Sequence, residues 1–162
     1  MRLELGRRAD YAVRATVDLA RHQADESRRK ARDIASEMDI PPSYVPQILA
    51  DLVRADLVTS MAGPRGGHAL ARDPEQITLL EVLHAVDGAT PSATCVLRSG
   101  PCRWNAVCAV HVPWARAQQA LLDVLGRTTL HDVVVADRQI DVGVFTLPDD
   151  VAAPARPPRV GT

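Results

Sequence analysis

The sequence predicts a mainly α fold with one small β-hairpin, arranged as a winged helix-turn-helix unit followed by a long helix. Three observations predict it. Successive segments in the first third of the chain space their apolar residues at helical intervals. The period then shortens to that of strands on either side of a Gly/Pro turn. A capping-box pattern and, later, a proline-led stretch mark two further helices.

Residues 9–23, ADYAVRATVDLARHQ, carry Ala12, Val13, Ala15, Val17 and Ala20 at helical spacing. Residues 31–38 repeat the pattern with Ala31, Ile34, Ala35 and Met38, at i, i+3, i+4 and i+7. The run IPPSYVPQILADLVRADL opens on prolines that fix its entry, then sets Val45, Ile48, Leu49 and Leu52 on one face. Pro46 is tolerated only in the first turn, where its missing N–H has no intrahelical partner, so this helix is predicted to begin near Ser43. LVTSM and HALA flank AGPRGG as two short strands around a turn. Thr78-x-x-Glu81 is a capping box opening a helix that contains Leu79, Leu80, Val82, Leu83 and Val86, with Gly88 placed to end it. Pro113 is predicted at the first position of a helix through Leu125, with a stripe of Ala117, Ala120, Leu121, Val124 and Leu125 and with Gly126 as its stop. Thr129 and Asp132 predict a short further helix, and the proline-rich stretch from about residue 147 is predicted to be disordered.

At 162 residues and 46% apolar, the chain is long enough for one domain with its own core plus an appended helix and tail. No run approaches the ~18 consecutive apolar residues of a membrane-spanning helix. The opening MRLELGRRAD lacks the apolar centre of a secretory signal, so a cytoplasmic protein is expected. A net charge of −1 does not advertise nucleic-acid binding, and the distribution of charge is the better test. Arg28, Arg29, Lys30 and Arg32 form one basic knot, which charge alone would leave as a solvated loop, and Arg65 sits alone in the Gly-rich hairpin. Aromatics at 3% argue against a stacking surface for single strands. No nucleotide loop, Ser/His/Asp set or paired-carboxylate constellation is present, so the chain is not expected to be an enzyme.

The three cysteines, Cys95, Cys102 and Cys108, lie together in TCVLRSGPCRWNAVCAVH. In a reducing compartment such a group reads as metal chemistry before disulfide chemistry, and an odd count leaves one thiol over in any disulfide scheme. The spacing lacks the compact C-x-x-C runs of ferredoxins, so the residues alone leave metal ligands and isolated structural thiols both open.

DYAVRATVDLA, IASEMDIPPSYVPQILADLVRADLV and GPRGGHALARDPEQITLLEVLHAVDG, together with the cysteine loop and the helix after it, resemble the Rrf-type family of winged-helix iron–sulfur transcriptional regulators (IscR/NsrR-like). The resemblance covers about residues 1–132, and a GPRGG wing followed by a three-cysteine loop is a specific combination. It implies a DNA-binding transcriptional regulator, a repressor, whose operator binding is controlled by an iron–sulfur cluster sensing redox, nitric oxide or iron status. It implies a homodimer held by the long helix after the loop. The expected organisation is a DNA-binding domain over residues 1–88, a cluster-binding loop over 89–111, the dimerisation helix and a short C-terminal helix over 112–135, and a flexible tail over 136–162.

The resemblance also implies site residues. Cys95, Cys102 and Cys108 would be thiolate ligands, which leaves a fourth position. His111 matches the histidine that completes a two-iron cluster in IscR-like members. Asp10 matches the carboxylate that, in NsrR-like members, reaches the other subunit's cluster from the first helix. The first interval between cysteines is one residue longer than the family's usual one, so two-iron and four-iron clusters both stay open. Ser43, Tyr44 and Gln47 are expected at the major groove, where Gln can pair bidentately with adenine. Some members carry a glutamate where Pro46 stands, so the operator is expected to differ from theirs. Arg65 suits a narrow minor groove, and Arg28, Arg29 and Lys30 would be backbone clamps. The blander readings are a turn residue for Arg65, helix N-terminal polarity for Ser43 and Asp10, and a helix-entry residue for His111. A cluster-free thiol sensor on the same DNA reader is the alternative function. An iron–sulfur electron carrier or enzyme is a more distant one.

Overall fold

The computed structural model describes residues 5–23, 27–88 and 108–151. Helix α1 (Arg7–Arg21) lies at the centre of the fold, with α3, α4 and α6 packed on it. Its alanines explain the close approach: Ala9, Ala12 and Ala15 are fully buried, and their small side chains leave room for the larger residues of neighbouring helices. Helices α2 (Ala31–Glu37) and α3 (Val45–Arg54) form the helix-turn-helix. Val45, Ile48, Leu49 and Leu52 face inward as their spacing predicts, each burial contributing roughly 1.5–3 kcal/mol.

Helix α3 starts two residues later than Ser43. The Tyr44 N–H donates to the Pro41 carbonyl at 2.9 Å, a turn that takes up residues 42–44 and leaves Pro46 in the first helical turn. Strands β1 (Val58–Met61) and β2 (Gly67–Leu70) pair antiparallel, in register from Val58 with Leu70 to Met61 with Gly67. Helix α4 (Leu79–Asp87) is opened by the predicted capping box: Thr78 N–H donates to Glu81 Oε2 at 2.8 Å, and Glu81 N–H donates to Thr78 Oγ1 at 3.2 Å. Burial pushes the Glu81 carboxyl up, but the bonds from Thr78 and Arg72 together hold it below its ordinary value. Gly88 ends α4 at φ +77°.

The last two helices depart from expectation. Helix α5 spans His111–Arg127, so Pro113 is its third residue, where an N–H still has no partner within the helix. Gly126 does not end α5. A Cβ there would lie 3.4 Å from Leu80 Cδ2, so its smallness lets α5 lie close on α4. Helix α6 (Leu130–Asp141) is not short and continues past residue 135 into the expected tail. Tertiary ion pairs hold this extension: Arg21 Nε donates to Asp137 at 2.7 Å, and Arg21 Nη2 to Asp141 at 3.3 Å. Of the stretch from about residue 147 predicted to be disordered, the first residues form a turn in which the Val151 N–H donates to the Pro148 carbonyl at 3.0 Å, and the part beyond residue 151 lies outside the described residues.

Candidate nucleic-acid interface and cysteine site

Helix α3 presents its first turn to solvent. Ser43 and Gln47 are exposed, whereas Tyr44 is half-buried with its ring edge-on to Tyr11, centroids 5.3 Å apart. Tyr44 therefore fixes the entry of α3 against α1 as well as standing beside the exposed pair. Behind that face, the buried carboxylate of Asp51 accepts from Arg8 of α1 and from Arg54 one turn along α3. A buried carboxylate needs such donors, and Arg8 ties α3 to the start of α1.

The wing's glycines follow from its geometry. At Gly66 a Cβ would lie 2.1 Å from the Met61 carbonyl oxygen, and at Gly67, with φ +146°, it would lie 2.6 Å from the Arg29 carbonyl oxygen. Arg65 stands exposed at the tip between them and Gly63.

The basic knot runs along this hairpin. Arg29 and His68 exchange backbone hydrogen bonds, 2.8 Å each, as an isolated bridge. Arg28 Nη1 donates to the Thr59 carbonyl at 3.3 Å and to its hydroxyl at 3.2 Å, and Lys30 Nζ donates to the carbonyls of Gly63 at 3.1 Å and Pro64 at 2.9 Å. Arg29 points the other way. Its Nε and Nη2 donate to the two oxygens of the fully buried Asp18 carboxylate at 2.9 and 3.0 Å. This fork raises the Arg29 pKa beyond the normal guanidinium value, against the opposing effect of burial. Of the three cations expected as clamps, Arg29 has its guanidinium turned inward, and Arg28 and Lys30 lie on the wing. His68, beneath them, is held below the ordinary histidine pKa by burial and by the neighbouring Arg28, and its Nδ1 is buried without a hydrogen-bond partner.

Asp10 lies in the first turn of α1, half-exposed, and accepts a fork from Arg14, Nε to Oδ1 and Nη2 to Oδ2 both at 3.0 Å. A carboxylate has about four acceptor positions, so the fork leaves others open. Cys108 is half-buried at the head of α5, and its carbonyl accepts the His111 N–H at 3.0 Å. His111 is exposed as the first residue of α5. Cys108 and His111 thus share one turn, while Asp10 belongs to another element. Cys95 and Cys102 lie outside the described residues. Among the described residues, no three His, Cys, Asp or Glu side chains gather as a metal site. Helix α5 itself buries none of its residues, and Leu121 and Val124 of its stripe are 48% and 57% exposed.

Two buried carboxylates that anchor this face, Asp18 and Asp51, were not singled out from the sequence. The signal was present: Asp18 lies between Val17 and Leu19, and Asp51 lies on the α3 face of Ile48 and Leu52, so each acid on an apolar face requires an internal cation.

The model of the Rrf2 family, described as "Iron-dependent Transcriptional regulator", matches residues 5–136. The chain belongs to the Rrf2 family. It is 31% identical over 140 residues to the HTH-type transcriptional regulator IscR of Xenorhabdus nematophila, covering 86% of this chain and 84% of that one. Against IscR of Vibrio parahaemolyticus it is 30% identical over 149 residues, covering 88% and 87%. Among solved structures, CymR, the global cysteine regulator of B. subtilis, matches with a TM-score of 0.71 at 25% identity, over 83% of this chain and 98% of that one. T. potens IscR matches with a TM-score of 0.69 at 25% identity, over 85% and 90%. The Rrf2 chain is accordingly a DNA-binding transcriptional regulator with a winged-helix fold, in a family of regulators rather than enzymes. Among its described residues, no helix is long and apolar enough to cross a membrane.

Proposed function

We propose that the chain is a homodimeric cytoplasmic repressor whose operator affinity is set by an iron–sulfur cluster. Cys95, Cys102 and Cys108 hold the cluster, and Asp10 or His111 supplies the fourth ligand. The observation that carries this reading is the head of α5. Cys108 opens the turn into a helix whose apolar stripe is left exposed by the rest of the described chain. A thiol ligand at the start of a dimerisation helix couples the state of its site to the way two copies pair.

The donor chemistry fits such a group. Sulfur from Cys108, with an imidazole on the same turn or a carboxylate from α1, is a set that iron–sulfur clusters accept. When bound, the cluster supplies a centre sensitive to oxidants, nitric oxide and iron supply. The chain's own residues do the reading of DNA. Ser43, Tyr44 and Gln47 meet the major groove, Arg65 meets the minor groove, and Arg28 and Lys30 add positive potential along the wing. The two cluster states differ in DNA affinity, and that difference is the signal.

Anaerobic purification tests the reading. The wild type is expected to be coloured and to carry iron and sulfide, and Cys102→Ala is expected to lose both while remaining a folded dimer. Asp10→Ala and His111→Ala then separate the two fourth-ligand candidates, because only the true ligand's loss alters the visible spectrum. The likeness to CymR, the global cysteine regulator, supports a second reading: a cluster-free thiol sensor acting through sulfenic acid or disulfide formation. A colourless, metal-free wild type with thiol-dependent DNA binding would decide for it.

A further inference from the structure

We propose that the Asp18–Arg29 ion pair positions the wing on the helical core, so that a buried carboxylate of α1 sets how the wing meets DNA. The proposal rests on the reading of the wing as a DNA contact. It starts from the alternation of three consecutive cations. Arg28 and Lys30 face the hairpin, one bonding Thr59 near its base and the other bonding the Gly63 and Pro64 carbonyls of its turn. Arg29, between them, faces the opposite way into Asp18. Its backbone meanwhile exchanges both hydrogen bonds with His68, and Gly67 gives up its Cβ to let that backbone approach. Residues 28–30 are therefore a strap across the wing, and among the described residues the side-chain anchor of the strap in the core is Asp18.

The anchor is built to hold orientation. Two parallel N–H···O bonds in a fork fix the guanidinium plane as well as its position. Asp18 is fully buried in α1, on which α2, α3, α4 and α6 pack, so its carboxylate is enclosed by the core. Lys30 is also the residue from which α2 starts, its carbonyl accepting the N–H groups of Asp33 at 3.0 Å and Ile34 at 3.1 Å, so the same anchor sets the entry into the helix-turn-helix. Asp18 and Arg29 are thus positioning residues. They act through the strap, with Arg29 turned away from any phosphate.

The test uses the full-length protein and a duplex that the wild type selects from a randomised pool. Asp18→Leu/Arg29→Met replaces the ion pair with apolar residues of similar size, a change that buried ion pairs often tolerate without loss of fold. His22 keeps its bond from Nδ1 to the Asp18 carbonyl in this variant. Arg65→Ala is then measured in both backgrounds. In the wild-type background it is expected to weaken binding roughly tenfold or more, the loss of a charge-assisted contact. In the paired variant, whose wing is no longer held, its effect is expected to shrink to within about threefold of none. Amide exchange at position 29 and at His68 is expected to quicken in the paired variant while that of α4 stays unchanged. Equal effects of Arg65→Ala in the two backgrounds would overturn the positioning role, because independent contacts add. If Arg65→Ala has no effect even in the wild type, the reading of the wing as a DNA contact fails, and amide exchange decides alone. Unchanged exchange at position 29 and at His68 then overturns the proposal, and faster exchange upholds the anchor.

Discussion

Replacing Gly67 by Ala should detach the wing without unfolding the domain. The added methyl lies 2.6 Å from the Arg29 carbonyl oxygen, 3.0 Å from the Arg29 carbonyl carbon and 3.2 Å from that of Arg28, all backbone atoms that cannot rotate away. The φ of +146° is itself one that an L side chain rarely adopts, which costs about 1–3 kcal/mol. Relief of the clash requires the strap to move off, with loss of the two 2.8 Å bonds between Arg29 and His68, worth roughly 0.5–1.5 kcal/mol each. The sum, about 2–6 kcal/mol, is carried by a two-stranded edge of the fold, whereas a domain of this size has about 5–15 kcal/mol in hand. Circular dichroism should show wild-type helix content at 25 °C and a melting temperature lowered by several degrees, at about 2–4 °C per kcal/mol. Affinity for the selected duplex should fall more than tenfold. A Gly67→Ala protein with wild-type melting and wild-type affinity would falsify the close packing of strap on wing.

Arg65→Ala should reduce the slope of log affinity against log salt by about 0.9 for each copy of the arginine that contacts phosphate, and an unchanged slope means the wing tip stays off the backbone. His68 should make the protein acid-sensitive. Its folded pKa lies below the unfolded value of about 6.5, so the unfolded chain binds more protons and stability falls as pH drops below about 6.5. His68→Phe should flatten denaturant stability between about pH 6.5 and 5, above the carboxylate range, and a variant that keeps the wild-type slope there removes His68 as the cause. Leu121→Glu, in the exposed stripe of α5, should turn a dimer into a monomer by analytical ultracentrifugation while leaving the helical spectrum intact, and a dimer that persists locates the interface elsewhere.

The elements were legible because each rests on a local pattern. The stripe of α3, the capping box of α4 and the tight turn at Gly66 all act within a few residues of themselves, and the structure bears them out, whereas Gly67 makes room for Arg29, far along the chain. What was not legible depends on partners far along the chain. The length of α6 is set by Arg21, 116 residues before Asp137, and nothing near Asp137 signals that bond. The start of α5 was misplaced because proline fits several positions of a first turn, and sequence alone does not choose among them. At the DNA face, Ser43, Gln47 and Arg65 stand exposed as their types suggest. Arg29 could not be told from its neighbours in a run of like charges. Its inward turn follows from one residue of alternation and from Asp18 in α1, 11 positions earlier.

The junction between α4 and α6 has a mechanical consequence for α5. The Leu79 N–H donates to the Thr128 carbonyl at 2.9 Å and the Leu130 N–H to the Ile77 carbonyl at 2.8 Å, so the chain leaving α5 is riveted beside the start of α4. Both α4 and α6 open at this point, each with its own capping box. Helix α5 is therefore fixed at its C-terminal end, while its head, with Cys108, lies a full helix length away. Seventeen residues at about 1.5 Å each make a lever of roughly 25 Å. Sliding α5 along α4 would break these two backbone bonds, whereas a tilt about them would not. A tilt of about ten degrees carries the head of a helix this long through roughly 4 Å, about three-quarters of one turn's pitch, while the rivet stays in place.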